Sequence, residues 1–317
     1  MQTIRRQQKG GAALALGLLC CLLTPAGGTA AAPGRGFPAA GPWLSFYGPA
    51  GRVGDLGKAA RTFRILNIDA DPGGGNFTPA QIKQLQAGGK NRVLSYLNLG
   101  SMESSRTYWT EVPAGFVSGR DNTAAHLGPY AGYPDETWMD LGNAEYQHLI
   151  IDYVAPRLAA QGIDGFYLDN LEIVEHRPND KNGPGSLSCT QGGLDLVRKL
   201  RAKYPNLLIV MQNATSAVTR LGVTGGVSFP SLLDGVAHEE VYAPTPDPAA
   251  LSELKQWQAL KLRPGGRPFW IATEDYVVSA GNVSAARAVY AKSRAQGFSP
   301  YVSDASAGQQ NVFYWPF

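Results

Sequence analysis

The stretch DGFYLDNLE, residues 164–172, runs a short apolar segment directly into an Asp-Asn pair, and a further acidic residue follows. The apolar letters FYL predict a buried strand that ends at Asp169. An unpaired charge is costly to bury, so a carboxylate at a strand tip is usually paired, exposed at an edge or functional. Asp164, at the start of the stretch, suits the turn into the strand. The ends of the other strands therefore decide how Asp169 is interpreted.

Eight short runs rich in β-branched and aromatic residues alternate with helical patterns, which is typical of a parallel α/β fold. The runs are WLSFYG (43–48), FRILNID (63–69), RVLSYLNL (92–99), GFYLD (165–169), LLIVMQN (207–213), GVAHEE (235–240), PFWIAT (268–273) and SPYVSD (299–304). ETWMDL (136–141) predicts a further short strand, and TPAQIKQLQAGG (78–89) predicts a helix with Thr78 as its N-cap. Eight strand–helix units favour a closed (β/α)8 TIM barrel over a doubly wound sheet.

The N-terminus has the layout of a secretory signal peptide. Residues 1–32 combine a basic start, an apolar run too short to span a bilayer and a small-residue end. A Gly/Pro/Ala linker at 33–42 and a single barrel domain at 43–317 follow, so we expect a secreted or periplasmic protein. The signal peptide holds three of the 28 basic residues and no acidic ones, which leaves 28 − 3 = 25 basic against 25 acidic. This balance argues against nucleic-acid and anionic-membrane partners.

Acidic residues cluster where the predicted strands end. In barrels of this kind, the side chains at the C-terminal ends of the strands converge on one mouth. Strand alternation places Asp169 on the same face as Tyr167, and Glu239 on a face with small residues. Asp169 and Glu239 are therefore the candidate reacting pair, with Glu240 on the opposite face as the fallback. Asp69 and Asp71 also share a face, although any single Asp at a strand end is more often a turn or capping residue.

Two carboxyl groups on opposite walls of a mouth are the arrangement that glycoside hydrolysis requires. One group protonates the leaving oxygen, and the other attacks the anomeric carbon or activates water. Aromatic residues near the strand ends suit sugar faces but are equally ordinary core and rim residues. The aromatic candidates are Trp43, Tyr47, Tyr96, Tyr167, Tyr242 and Tyr276.

Metal and nucleophile chemistries have little support in the sequence. The four His residues show no HxxH or HxxxH spacing, and no CxxC or GxSxG motif occurs. A calcium site at Asp69 and Asp71 is an alternative that no sequence motif supports. We expect no cofactor and no metal, and a mature chain that acts as a monomer on a polysaccharide.

The succession YLNLGSMESSRTYW (96–109), ETWMDL (136–141), GIDGFYLDNLE (162–172), VMQNAT (210–215) and DGVAHEEVY (234–242) resembles the endo-α-1,4-polygalactosaminidase family, glycoside hydrolase family 114. The resemblance implies a TIM barrel that cleaves α-1,4-linked galactosamine-containing polysaccharides with retention. The family's catalytic Asp falls on Asp169 and its catalytic Glu on Glu239. The resemblance also implies substrate contacts from Tyr96, Glu103, Arg106, Asp140 and Asn213.

The chain departs from the family pattern at two of these motifs, which leaves the sugar open. Glu172 stands where the family often has Asp, and Gln212 where a Lys is common. An acidic mouth on a nearly neutral protein suits a polymer with free ammonium groups, and Asp69, Asp71 and Glu103 are then candidate subsite ligands. If Glu103 and Arg106 do not contact the substrate, their spacing suits a surface ion pair that contributes little to stability. We assign Asp169 as nucleophile and Glu239 as acid/base, with the reverse open.

Two alternatives to this interpretation remain. One is a glycosidase of another specificity on the same barrel, because fold does not fix substrate. The other is a non-catalytic carbohydrate-binding barrel.

Overall fold

The structure of the protein is a computed structural model that describes residue 37 and residues 41–260, 269–278 and 282–317. The predicted signal peptide and most of the predicted linker lie outside these residues. Within them, no helix combines the length and the apolar character needed to cross a bilayer.

Eight parallel strands form the central sheet and pair with one another in chain order. They are β1 (Trp43–Phe46), β2 (Ile65–Ile68), β3 (Arg92–Asn98), β4 (Gly165–Asp169), β5 (Leu208–Gln212), β6 (Gly235–Glu239), β7 (Trp270–Val278) and β8 (Ser299–Asp304). β1 lies beside β8, so the sheet curls into a nearly closed barrel. The prediction of a TIM barrel is confirmed.

Strand register determines which side chains enter the barrel lumen. Neighbours that are paired in a parallel sheet point to the same side, and alternate residues along a strand share a face. Glu239 is paired with Glu274 across β6 and β7, and Tyr96 with Tyr167 across β3 and β4. Tyr167 is fully buried inside the ring. The lumen-facing positions at the C-terminal strand ends therefore include Asp169 and Glu239.

Helices and short helical turns join the strands and cover the outside of the barrel. Thr78 caps Pro79–Leu85 with a reciprocal capping box, as the sequence predicted for this N-terminus. Continuous helical pattern before β4 is divided into α-helical and π-helical segments. The segments of four or more residues are Ala50–Val53, Leu56–Thr62, Pro79–Leu85, Thr107–Thr110, Ala144–His148, Leu149–Val154 (π), Ala155–Ala159, Leu171–Glu175 (3₁₀), Leu187–Lys203, Ala217–Arg220, Phe229–Leu232 (3₁₀), Pro248–Gln258 and Val283–Ala295; Ala87–Gly89 and Thr123–Ala125 are 3₁₀ turns.

An antiparallel three-stranded insert follows β3 and leads toward β4. Tyr133–Met139 is its central strand, with Ser101–Glu103 on one side and His126–Tyr130 on the other. The predicted strand at 136–141 thus lies largely within the insert. Register places Glu136 opposite Glu103. A small hairpin of Val223–Thr224 and Val227–Ser228 lies elsewhere in the chain.

Candidate active site

Asp169 is the last residue of β4 and is paired with Asn98 at the end of β3. Burial raises the pKa of Asp169 to about 8, and the charge of Glu239 adds to this effect. The backbone at Asn170 and the Tyr96 hydroxyl hydrogen-bond the carboxylate and oppose the rise. A proton therefore stays on Asp169 at neutral pH while the mouth holds no cation.

Glu239 ends β6 and is held by hydrogen-bond donors at both carboxylate oxygens. The Asn213 side-chain amide donates through Nδ2 to Glu239 Oε2 at 2.8 Å, and its Oδ1 accepts from the Glu239 backbone N–H at 3.0 Å. The Tyr276 hydroxyl donates to Oε1, and Gln309 Nε2 approaches the same oxygen at 3.3 Å. These donors fix the orientation of the Glu239 carboxyl group.

Three consecutive barrel strands leave the sheet through a residue in the left-handed region. Asn170, Asn213 and Glu240 follow directly after β4, β5 and β6, with φ values of 57°, 60° and 54°. Non-glycine residues rarely adopt such φ values, and this strain clusters at functional sites. Gly100 accommodates one of these turns, because a Cβ there would lie 1.6 Å from the Asn170 carbonyl oxygen. The chain therefore accepts backbone strain around the mouth.

Two further carboxyl groups lie at the mouth beside the candidate pair. Burial raises the pKa of Glu172 well above its ordinary value, and the charges of Asp169 and Glu239 contribute. Glu172 Oε2 is buried with no hydrogen-bond partner among the described residues. Glu136 accepts hydrogen bonds from the Ser101 hydroxyl and other polar side chains, and burial raises its pKa to about 6.

Asp69 and Asp71, at the exit of β2, are paired with arginines. Arg106 contacts Asp69 at 2.9 Å and Glu103 at 3.0 Å, and Arg157 contacts Asp71 at 3.1 Å. The Arg106 and Glu103 side chains are only 14% and 10% exposed, so this contact is not the surface ion pair that the spacing allowed. Three carboxylates share two guanidinium groups, which leaves about one negative charge if all are ionised.

A cavity of ≈ 260 Å³ adjoins this ionic cluster. We call it the outer cavity. Its lining includes both charged and small polar groups: Asp69, Asp71, Gly73, Gly74, Asn76, Ser105, Arg106 and Thr107.

The aromatic candidates occupy different positions. The Tyr47 and Tyr96 rings pack 4.7 Å apart, and the Arg106 guanidinium lies 5.5 Å from the Tyr96 ring. Tyr167 is fully buried and packs against Trp43, so it presents no surface to a ligand. Tyr167 is therefore part of the lumen core, which argues against the expected substrate contact.

Tyr242 and Tyr133 contrast in exposure. Tyr242 is 8% exposed, and its backbone N–H donates to Asp275. Tyr133, on the insert, is 50% exposed and lies within the electrostatic reach of Asp169 and Glu239. It was not among the sequence candidates, yet it is the more accessible ring beside the mouth.

Asp140 and Glu240 are also placed differently from the candidate pair. The Asp140 carboxylate accepts the Gly142 N–H at 2.9 Å and contacts Cys189, so it stabilises the turn after the insert. Its expected substrate contact stays a prediction. Glu240 is exposed on the rim.

Some contacts of the candidate pair were not predicted from the sequence. Tyr276 was named only as an aromatic residue that suits a sugar face, and strand alternation did not connect it with Glu239 because the predicted seventh strand ended at residue 273. Gln309 lies after β8, outside any strand or helix, and had no signal. Within the described residues, no group of three or more His, Cys, Asp or Glu side chains is arranged to hold a metal ion.

Comparison with known families decides the class of the protein. Residues 55–315 match the model of glycoside-hydrolase family GH114. The chain belongs to this family. The suspected resemblance is thereby confirmed, and the protein is a glycoside hydrolase.

Individual relatives agree with the barrel fold of this GH114 chain. An uncharacterized protein of Deinococcus radiodurans is 25% identical over 264 residues, covering 78% of this chain and 76% of the relative. The glycoside hydrolase domain of PelA from Pseudomonas aeruginosa is similar with a TM-score of 0.64 and 17% identity, over 86% of this chain and 98% of that one. Aspergillus fumigatus Ega3, in complex with galactosamine, is similar with a TM-score of 0.61 and 18% identity, over 88% and 96%.

Proposed function

We propose that the protein is a secreted glycoside hydrolase that cleaves α-1,4-linked galactosamine polysaccharides by a retaining, two-carboxylate mechanism. The observation that carries the proposal is a group of carboxyl groups at the mouth that lack a cationic partner. They belong to Asp169, Glu239, Glu172 and Glu136, and none of them forms an ion pair with Lys or Arg among the described residues. A sugar with a free ammonium group supplies the missing positive charge, whereas a neutral sugar does not. The similarity to Ega3, whose structure contains galactosamine, supports this class.

In the proposed mechanism, Asp169 attacks the anomeric carbon while Glu239 protonates the departing glycosidic oxygen. Glu239 then takes a proton from water, and the resulting hydroxide displaces Asp169 from the sugar. Before the attack, Asp169 has to release its proton to solvent and Glu239 has to take one up from solvent, so that the nucleophile is ionised and the acid is protonated. An ammonium group bound beside Asp169 favours that loss, because it stabilises the carboxylate.

The reverse assignment is favoured by one observation: hydrogen-bond donors contact both carboxyl oxygens of Glu239 and hold the group in one orientation, as a nucleophile requires. Azide rescue separates the two. For an α-retaining enzyme, a variant that lacks the nucleophile gives a β-glycosyl azide, and one that lacks the acid/base gives an α-glycosyl azide. The proposed assignment predicts the β-azide from Asp169→Ala and the α-azide from Glu239→Ala.

Further sugar units of the polymer have two candidate positions. The outer cavity is large enough for a pyranose ring, and its residual negative charge suits a second ammonium group. The exposed Tyr133 ring offers a stacking surface on the insert side. Secretion is proposed from the signal-peptide pattern of residues 1–32. It is tested by comparing the protein in culture medium with and without that segment.

The substrate class is tested with purified protein and three polymers. They are a partly deacetylated α-1,4-galactosamine polymer, its fully N-acetylated form, and a β-1,4-glucosamine polymer that carries the same charge on another linkage. Mass spectrometry should detect oligosaccharides from the first polymer, fewer from the second and none from the third. Equal cleavage of the acetylated form would remove the charge argument. Cleavage of the β-linked polymer alone would establish a glycosidase of another specificity.

A further inference from the structure

Glu274 is a carboxyl group in the lumen that the proposed reaction does not use. It lies on β7, paired with Glu239 of β6 and Tyr301 of β8, so its side chain faces the inside of the ring. The residue is fully buried, and neither carboxylate oxygen accepts a hydrogen bond from the described residues. Burial raises its pKa well above the ordinary value, and the charge of Glu239 adds to the rise. An ionised carboxylate in such a place is costly.

The described titratable groups that interact electrostatically with Glu274 provide no positive charge to offset this cost. They are the carboxyl groups of Asp169, Glu239 and Asp275 and the hydroxyl groups of Tyr47, Tyr167, Tyr276, Tyr290 and Tyr301. All of these groups are neutral or negative near neutral pH. Glu274 is therefore neutral unless the pH is high.

The Ser45 hydroxyl group also lies beside Glu274. Its other hydrogen bonds determine which of these two groups can donate a proton to the other. A serine hydroxyl has one proton to donate and two lone pairs to accept. Ser45 donates that proton to Gln309 Oε1 at 2.9 Å and accepts one bond from Asn67 Nδ2 at 3.2 Å. What remains for Glu274 is a lone pair. The contact is satisfied only when Glu274 carries a proton and donates it.

Ser45 in turn fixes the orientation of the Gln309 side chain. With Oε1 held by Ser45, Gln309 Nε2 is turned toward the Tyr276 hydroxyl at 2.8 Å and Glu239 Oε1 at 3.3 Å. Gln309 is 3% exposed and has a left-handed backbone with φ 49°, which fits a residue held in one place. A hydrogen-bonded chain thus runs from Ser45 through Gln309 to Glu239, and Glu274 lies beside its Ser45 end.

We propose that Glu274 is a neutral carboxylic acid that donates its proton to Ser45 and so positions Gln309 and Tyr276 on Glu239. It is a positioning residue and does not touch the substrate. At alkaline pH the proton leaves to solvent, the bond to Ser45 is lost, and a second negative charge appears beside Glu239. Activity then falls reversibly. Only this activity consequence rests on the proposed function.

The test compares Glu274→Gln with wild type, and the exposed Glu145→Gln is the control for removing a carboxylate. The Gln amide is uncharged at every pH and has a proton for Ser45. Thermal unfolding is followed from pH 5 to 9. Because the folded-state pKa of Glu274 is raised, its contribution to stability is complete at low pH and is lost as pH rises. The melting temperature of Glu274→Gln relative to wild type should therefore increase with pH, whereas Glu145→Gln should stay parallel to wild type.

The activity arm measures kcat and KM over the same pH range. Glu274→Gln should remain active near neutral pH, and its alkaline decline should move up by about one pH unit or more. Ser45→Ala, which breaks the chain without changing charge, should lower kcat about 10-fold and change KM less than about 2-fold.

Several results would overturn the proposal. One is a folded Glu274→Gln protein that is inactive at every pH, because it would show that the carboxylate charge is required. Another is a Glu274→Gln protein that follows wild type in both pH profiles. If Glu274→Gln does not fold, Ser45→Ala decides, and an unchanged kcat refutes the proposal. If wild type cleaves no polymer, the proposed function fails while thermal unfolding still decides the charge state of Glu274.

Discussion

The Tyr276 hydroxyl is the contact to Glu239 that is simplest to remove. It donates to Glu239 Oε1 and accepts from Gln309 Nε2 at 2.8 Å. The residue is 5% exposed, so the buried ring should stay in place when Tyr276→Phe removes only the hydroxyl. The variant leaves Glu239 with Asn213 and Gln309 as its remaining side-chain donors.

The size of the effect follows from the charge of the acceptor. A hydrogen bond to a charged group contributes about 1.5–3 kcal/mol. At about 1.36 kcal/mol per factor of ten, its loss corresponds to roughly a 10- to 150-fold lower rate. The charge on Glu239 changes during the reaction under either assignment of roles. We therefore expect the loss in kcat, with KM nearly unchanged.

Tyr146→Phe is the matched control. Tyr146 is fully buried, and its hydroxyl donates to the Leu99 carbonyl oxygen at 2.8 Å, outside the set of residues that contact Glu239. The two variants should lose similar stability in urea unfolding, about 1 kcal/mol, because each loses a buried hydrogen bond. Steady-state kinetics on the galactosamine polymer should separate them. A fall in kcat for Tyr276→Phe no larger than that for Tyr146→Phe would refute the positioning of Glu239 by this hydroxyl.

Three further predictions concern charge. Arg106→Met should lower the free energy of unfolding by about 3–5 kcal/mol, because it leaves buried carboxylates unpaired. Urea unfolding should show a smaller loss of stability at pH 4 than at pH 7. The control is the exposed Arg61→Met, which should change stability by less than about 0.5 kcal/mol. Glu172→Gln should weaken binding of a free-amine oligosaccharide about 10-fold and leave binding of its N-acetylated form unchanged, as measured by calorimetry. Equal weakening of both ligands would contradict the charge argument. Burial raises the pKa of Glu136 to about 6 and that of Glu175 to about 7. The contribution of these two groups to stability is therefore lost as pH rises through these values, and the melting temperature should fall between pH 5 and pH 8. A rise in melting temperature would contradict the burial assigned to them.

The barrel was predictable because its signals are local. Each strand is a short apolar run, and alternation within GFYLD and GVAHEE identified which carboxyl group faces the lumen. The Thr78 capping box likewise needs only four neighbouring residues. The division of the helical pattern before β4 into α and π segments was not predictable, because periodicity does not distinguish them over so few residues.

The insert shows where the strand-end rule stops working. Asp140 follows a predicted strand, but that strand is antiparallel and belongs to the insert, so the rule for barrel strand ends does not apply to it. Glu136, within the same strand, enters the site because its partners Asn98 and Asn170 come from the ends of β3 and β4. This contact depends on pairing between distant segments, which the sequence alone does not specify.

The contacts that hold Glu239 were not predicted, although Asn213 and Tyr276 were named for other roles. Tyr276 lies two residues beyond Glu274 on the same face of β7, but the predicted strand ended at residue 273. Gln309 reaches the site from the segment after β8, through a left-handed backbone conformation at a residue that rarely adopts one. Neither periodicity nor propensity predicts such a position.

The most direct test of the reacting pair measures product release and binding together. Wild type, Asp169→Asn and Glu239→Gln are incubated with a partly deacetylated α-1,4-galactosamine polymer, oligosaccharides are measured by mass spectrometry, and binding is measured by calorimetry. We expect oligosaccharides from wild type, at least about a 100-fold loss of turnover in each variant, and retained binding in all three proteins. Turnover by either variant within about tenfold of wild type would contradict the assignment of that residue, and binding by wild type without any product would contradict hydrolysis of this polymer.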